Sequence, residues 1–465
     1  MKGRELKNLG IPAGDARQLA LRLVGTARKE GMDVRDVRER VRAIAVDPES
    51  YTEDPTFGEL ARLLSATVVA RRAYVPRSAL APYQQWGTDL EPESVNQIKN
   101  ACSLPVAVRG ALMADAHLWY GLPIGGVLAT RNAVIPYAVG VDIACRMKMT
   151  VLDLPVSAIE SRTHVLEHAI EKETRFGIGA NFTRPRDHAV MEADWNVTPV
   201  THRLKDKAWS QLGTSGSGNH FVEFGVFEVD NEQLEIAPGQ YLALLSHSGS
   251  RGAGATIAGH YSKLAMRQHP ELPEALTHLA WLDLDSEDGQ EYWAAMQLMG
   301  RYAEANHACI HHHMSKQLGA TVLLDLENHH NYAWEEEHDG ETLIVHRKGA
   351  TPAGEGVIGI IPGSMASPTY VVRGKGSAAS MNSAAHGAGR VMSRTRAKQT
   401  FAWSHVRREL EERGVKLISA GLDEVPGVYK DIDAVMAAQE DLVERIAVFH
   451  PRLVKMAPPG ERPED

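Results

Sequence analysis

Short β-rich runs in this chain end repeatedly on residues that can bind a metal ion. Residues 241–245 read as a strand that runs into Ser246-His247, and residues 321–326 read as another that stops just before His329-His330. Residues 342–345 and 357–361 are further strand candidates. A polar side chain just past a buried strand is held by a rigid core, which is where sites are commonly built. Strands and helices are mixed along the chain with no regular βαβ alternation, so the expected fold class is α+β.

The first 72 residues differ in texture and read as a small helical addition. Ala16, Leu19, Ala20, Leu23, Val24 and Ala27 follow the i, i+3, i+4, i+7 spacing of an amphipathic helix. Asp33 is placed to cap a second helix with Val34, Val37, Val41 and Ile44 on its apolar face. Thr56 and Glu59 fit a capping box opening a third, with Leu60, Leu63, Leu64 and Val68 inside. The larger domain is expected over residues 73–456. Near its end, Ile432, Val435, Met436, Leu442, Val443 and Ile446 predict one more helix. Residues 457–465 are polar and Pro-containing, the composition of a disordered tail.

Composition narrows the setting. Three cysteines in 465 residues, Cys102, Cys145 and Cys309, make an odd and sparse set, which argues against a disulfide framework and for a reducing compartment. No run approaches the ~20 apolar residues that cross a bilayer, and no apolar leader opens the chain, so a cytoplasmic protein without a membrane role is expected. The formal net charge of −9 disfavours a generally basic surface. It does not exclude nucleic acid, because phosphate contacts need local cations only. Arg390, Arg394, Arg396 and Lys398 form such a local run, with Arg347, Lys348, Arg373 and Lys375 adding to the set. A solvated helix surface and a phosphate-contacting patch are both open readings of it. The 21 histidines are clustered at His307, His311, His312 and His313 and again at His329, His330, His338 and His346, which leans towards metal chemistry.

Several segments carry chemistry. Asp142 and Cys145 stand three residues apart, a carboxylate and a thiol that a tight turn brings together; alone, a cysteine such as Cys145 is more often a small buried core residue. The segment 213–223 is Gly-rich and enters a strand through Asn219, His220 and Glu223. Its glycines admit a phosphate or metal close to backbone, although a plain turn has the same composition. His247 and His330 each follow a strand, where a lone histidine is more often a hydrogen-bonded structural residue. Ser364 offers a free hydroxyl in the turn Pro362-Gly-Ser364-Met365. Most suggestive is Asn382-Ser-Ala-Ala-His386-Gly387-Ala-Gly389-Arg390. A histidine in a Gly-rich loop beside arginine suits covalent phosphoryl or nucleotidyl transfer, with imidazole as nucleophile and cations offsetting phosphate charge.

At these residues the chain resembles the RtcB family of tRNA-splicing ligases. The matching pieces run in order: Pro123-Ile-Gly-Gly126, Gly140-Val-Asp-Ile-Ala-Cys145, Gly218-Asn-His220-Phe-Val-Glu223, His247-Ser-Gly-Ser-Arg251-Gly, His330-Asn331, His346-Arg-Lys-Gly-Ala-Thr351, Pro362-Gly-Ser-Met365 and His386-Gly-Ala-Gly-Arg390. The resemblance implies one large catalytic domain of mixed sheets flanked by helices. It implies two Mn²⁺ ions bridged by Cys145, with Asp142 and His220 completing one site and His247 and His330 the other. It implies GTP as cosubstrate, with His386 becoming guanylylated and Glu223 reading guanine. Asn219, Ser364, Gly387, Gly389 and Arg390 would hold phosphate or ribose, and Lys455 would contact the base. The implied reaction joins RNA 3′-phosphate or 2′,3′-cyclic phosphate ends to 5′-hydroxyl ends, in tRNA splicing or RNA repair, with archease as a candidate activating partner.

Departures mark a divergent member. Arg146 stands where the family usually has glycine, Pro352 where arginine is usual, and Ala385 where cysteine is common. The segment Met113-Ala-Asp115-Ala-His117 is also altered. Two rival readings remain: a metal-dependent phosphoesterase, which needs no nucleophilic histidine or guanine-reading carboxylate, and a non-catalytic RNA-binding homologue.

Overall fold

A computed structural model describes residues 2–12, 15–73 and 77–461, with side chains undescribed at 4 and 67–73. Two compact units divide it, residues 1–76 with 263–280, and residues 77–262 with 281–465.

In the first unit, helices Asp15–Lys29, Val34–Val46 and Gly58–Ala73 follow the expected periodicity. Leu19, Val24, Val37, Val41, Ile44 and Leu60 meet in one core, and each such large apolar side chain removed from water contributes about 1.5–3 kcal/mol. The Asp33 side chain caps its helix by accepting from Arg35 N at 2.7 Å. The third helix opens differently from expectation. Asp54 Oδ1 accepts from Thr56 N at 2.9 Å and Phe57 N at 2.7 Å, while Glu59 is drawn away to Arg22 at 3.1 Å. The earlier carboxylate thus takes the Thr56 N–H that Glu59 would have served in a capping box, and the Phe57 N–H with it. The Val68 side chain lies outside the described residues.

The second unit is α+β, as expected. Its largest sheet contains β1 (Arg146–Leu152), β2 (Phe221–Val229), β3 (Gly239–Ser248), β4 (Val322–His329), β5 (Ile358–Pro362), β6 (Thr369–Gly374), β7 (Lys416–Ser419) and β8 (Val443–Met456). Neighbours run β5-β6-β8-β2-β3-β1-β4, antiparallel throughout, with β7 added parallel to β8. The sheet curls until its ends meet, where Ile360 N on β5 donates to Asn328 Oδ1 on β4 at 3.0 Å. Met147, Met149, Val151, Phe227, Leu245, Leu324, Ile360, Val371 and Phe449 fill the interior of that curl. A second sheet orders Tyr83–Gln85, Ala107–His117, Ile124–Thr130, Glu341–Lys348 and Asn331–His338. The 32-residue helix Glu287–Leu318 lies against the large sheet, capped by Ser286 and ended by Gly319 in the left-handed region (φ +65°).

The C-terminal helix is shorter than its periodicity predicts. It covers Ile432–Ala437 only, and Leu442, Val443 and Ile446 lead into or belong to β8. Pairing of β8 with both β2 and β6 overrides the local 3.6-residue pattern. Of the expected tail, 462–465 lie outside the described residues. Before them Ala457 is buried and the Glu461 carboxylate accepts from Ile178 N at 3.3 Å. Among the described residues no helix is long and apolar enough to cross a membrane.

Candidate metal and nucleotidyl-transfer site

Antiparallel order explains why residues far apart in sequence meet. The start of one strand lies beside the end of its neighbour. Cys145 precedes β1, His220 precedes β2, His247 lies at the end of β3, and His330 follows β4. The registers Met147↔His247, Phe221↔His247 and Arg146↔His329 bring all four to one edge of the sheet. The turn before β1 is strained, with Ala144 at φ +57° and its N–H held by Asn331 O at 2.7 Å. Asp142 enters this group through a close approach to the backbone after β3. Its Oδ1 accepts from Ser250 N at 3.0 Å, and a Cβ on Gly249 would stand 2.2 Å from the carboxylate.

The result is two triads sharing one thiol, Cys145–His247–His330 and Asp142–Cys145–His220, all buried. Cys145 Sγ lies 3.1 Å from His247 Nε2 and 3.5 Å from His220 Nε2. His247 Nε2 is 3.1 Å from His330 Nε2, and His220 Nε2 is 3.0 Å from Asp142 Oδ2. The last contact is close without hydrogen-bond alignment, so Asp142 Oδ2 is buried with no hydrogen bond. His247 Nδ1–H donates to Asn219 O at 3.1 Å, which leaves the Nε2 lone pair facing the cluster, the orientation a metal-binding imidazole needs. Burial holds His247 near 3 and His330 well below the usual imidazole range, so both imidazoles are neutral, the form that can bind a metal. Burial alone would raise the Asp142 carboxyl; His220 and the Arg251 charge outweigh it and hold it below the usual range.

Beside the cluster sits His386, reached from the short strand Ser383–Ala385. Its ring centroid is 4.7 Å from that of His330. Its Nδ1–H donates to Asp115 Oδ2 at 2.7 Å, and the same oxygen accepts from the N–H groups of His386 (3.2 Å) and Gly387 (3.3 Å). Asp115 is fully buried on the strand Ala107–His117. The loop after His386 needs glycine at 389, where φ is +75° and a Cβ would lie 2.1 Å from Asp115 O.

These groups open into a cavity of about 750 Å³. Asp142, Cys145, Asn219, His220, Glu223, His247, His330, Ser364, His386, Gly387, Gly389 and Arg390 all line it. Lys455 does not. Successive side chains on β8 alternate faces, so Val454 and Met456 line the cavity while the Lys455 ammonium pairs with Glu171 at 3.3 Å and lies over Phe176. Arg390 is anchored by Glu424 at 3.1 Å, and Arg394, also on the lining, pairs with the same carboxylate and with Asp423. Burial pushes the Glu223 carboxyl up to about 8 and brings Lys348 down to about 7.

Of the clustered histidines, only His330 lines the cavity. His307 and His311 hydrogen-bond to Ser246, His329 stacks on Trp334, His338 pairs with Glu336, and His346 accepts from Ile135 N. Asp115 is a residue of this site to which sequence reasoning gave no role, although its segment 113–117 stood out as altered. It stands 271 positions from His386, and no local spacing signals such a contact.

A family model described as tRNA-splicing ligase RtcB matches residues 97–456. Among curated proteins, the RNA-splicing ligase RtcB of Escherichia coli (strain K12) is 35% identical over 398 residues, spanning 79% of this chain and 95% of its own length. The tRNA-splicing ligase RtcB of Nanoarchaeum equitans is 33% identical, spanning 76% and 88%, and that of Thermococcus kodakarensis is 29% identical, spanning 79% and 91%.

Proposed function

The chain belongs to the RtcB family, and from that premise we propose that it is an RNA ligase that uses GTP and Mn²⁺ and works through a histidine–GMP intermediate. The observation that carries this reading is His386, held by Asp115 through Nδ1 and set 4.7 Å, ring to ring, from a metal-competent cluster. With Nδ1–H donated, the Nε2 lone pair is the nucleophile.

Bound Mn²⁺ would supply Lewis acidity on phosphoryl oxygens. Cys145 would bridge two ions, with Asp142 and His220 on one and His247 and His330 on the other. A thiolate, imidazoles and one carboxylate suit a borderline divalent cation, and the same set accepts zinc. Asp142 Oδ2, buried beside His220 Nε2 without a hydrogen bond, and the Nε2 lone pair of His247 support the fit. His220 would present Nε2 only once Arg251 Nη1, a donor 3.3 Å from its Nδ1, gives way.

The chain's own residues then act in three steps. His386 Nε2 attacks the α-phosphorus of GTP, the bond to pyrophosphate breaks, and Asp115 stabilises the charge gained by the imidazole. An oxygen of an RNA 3′-phosphate, itself opened from a 2′,3′-cyclic phosphate where needed, attacks the histidine-bound phosphorus. His386 leaves, and GMP is joined to the RNA end. The 5′-hydroxyl of the second RNA attacks the 3′-phosphate, a phosphodiester forms and GMP departs. Glu223 would accept from guanine N1–H and N2–H, and Arg390, Asn219, Ser364 and the glycines of the 387–389 loop would hold phosphate and ribose. Tests begin with a pair of RNAs ending in 2′,3′-cyclic phosphate and 5′-hydroxyl. Joining that requires GTP and Mn²⁺ is expected; release of inorganic phosphate or end hydrolysis without joining would point instead to a phosphoesterase.

A further inference from the structure

The rim of the cavity has a feature that the chemistry above does not use. Leu118, Trp119 and Tyr120 follow the strand that carries Asp115 and line the mouth. Leu118 is 46% exposed and Tyr120 58%, whereas large apolar side chains elsewhere are mostly buried. Exposure here is not slackness, because the backbone is pinned at all three residues. Leu118 N donates to Glu91 Oε2 at 3.0 Å and Trp119 N to Gln97 Oε1 at 3.1 Å. Gln97 Nε2 donates back to Trp119 O, and the buried Lys348 ammonium donates to Tyr120 O. The two aromatic rings meet edge to face with centroids 5.5 Å apart. A second apolar side chain of the lining, Val391, is 52% exposed, next to Arg390.

A half-buried Trp119 ring and an exposed Tyr120 ring on a pinned backbone, bordering a cation-lined cavity, are the features of a base-stacking platform. Every nucleobase offers a π-face, so such a platform orders single-stranded RNA without demanding sequence. The cations Arg390 and Arg394 lie in the same lining, placed to meet the phosphates of a strand whose base stacks at the rim. We infer that Trp119 and Tyr120 stack a nucleobase next to the RNA end and so set the position of that end before His386 and the metal cluster. This rests on the RNA-ligase reading, and the platform acts on RNA only, not on GTP.

The test uses the full-length protein and fluorescein-labelled single-stranded RNA bearing a 3′-phosphate, read by anisotropy. Trp119→Ala and Tyr120→Ala should each weaken RNA binding about five- to hundredfold, with Trp119→Phe and Tyr120→Phe close to wild type. Self-guanylylation by GTP should stay within about twofold of wild type in all four, which separates this claim from the reading beneath it. A second arm compares RNA with RNA made abasic at single positions near the end. Wild type should lose affinity at one such position, and the alanine variants should lose little more there. Unchanged RNA affinity in both alanine variants, or equal abasic penalties in wild type and variants, overturns the platform and leaves the rim to a protein partner.

Discussion

Asp115 Oδ2 accepts the Nδ1–H of His386 at 2.7 Å and, through the same atom, two successive backbone N–H groups of the loop that carries His386. One fully buried carboxyl thereby fixes the tautomer of the imidazole, its ring direction and the path of its loop. In any nucleophilic histidine the tautomer decides which nitrogen attacks.

Asp115→Asn keeps an oxygen for the backbone donors but removes the carboxylate that offsets imidazole charge as the phosphoramidate forms. The rate of GMP-adduct formation should fall on the order of 10²–10⁴-fold. Circular dichroism and Mn²⁺ stoichiometry should be unchanged. Near-normal adduct formation in Asp115→Asn would remove Asp115 from the account.

Cys145 belongs to both ligand triads, whereas each imidazole belongs to one. Cys145→Ala should therefore lose both ions, and His247→Ala should mainly weaken one. Metal analysis of dialysed protein after Mn²⁺ loading reads this directly. Two ions retained in Cys145→Ala would contradict a bridging thiolate.

Burial holds the Glu223 carboxyl near 8, so it is protonated below that pH and ionised above it. Only the ionised form accepts from guanine N1–H and N2–H together, one on each oxygen. GTP affinity should thus rise with pH, by about tenfold from pH 7 to 9 for one proton lost with a pKa near 8. Glu223→Gln should bind GTP more weakly and lose this slope. A wild-type slope that survives in Glu223→Gln would place the titration elsewhere.

Gly389 combines φ +75° with a Cβ position 2.1 Å from Asp115 O. Gly389→Ala should destabilise the second unit by about 1–3 kcal/mol and slow adduct formation, because relief of the clash moves either Asp115 or the His386 loop. Denaturant midpoints compared with wild type check the first effect. An unshifted midpoint with normal labelling would show that the loop accommodates the methyl group.

Much of the framework could be read from the chain, and the limits of that reading have physical causes. The strands that carry His247 and precede His330 were visible because their apolar runs stop close to those residues. The meeting of those ends was not, because it depends on the neighbour order β2-β3-β1-β4, which no single segment encodes. Helix periodicity identified residues 15–29 and 34–46 but overran at Leu442–Val443, where pairing with two strands outweighs local preference. The histidine-rich helix 287–318 drew attention to metal chemistry, yet His307 and His311 serve the packing of that helix on the sheet through Ser246 and Thr150. Lys455 and Asp115 show the same limit from two sides: strand alternation turns the first away from the cavity, and a contact across 271 residues brings the second into it.

The most direct measurement of the central claim is incubation of the purified protein with Mn²⁺ and α-³²P-labelled GTP, followed by denaturation and peptide mapping. The account predicts one acid-labile, alkali-stable GMP per chain on the peptide containing His386, absent with ATP, absent after chelation, and absent in a folded His386→Ala protein that still binds Mn²⁺. A full-strength adduct in His386→Ala, or equal labelling by ATP, would contradict it.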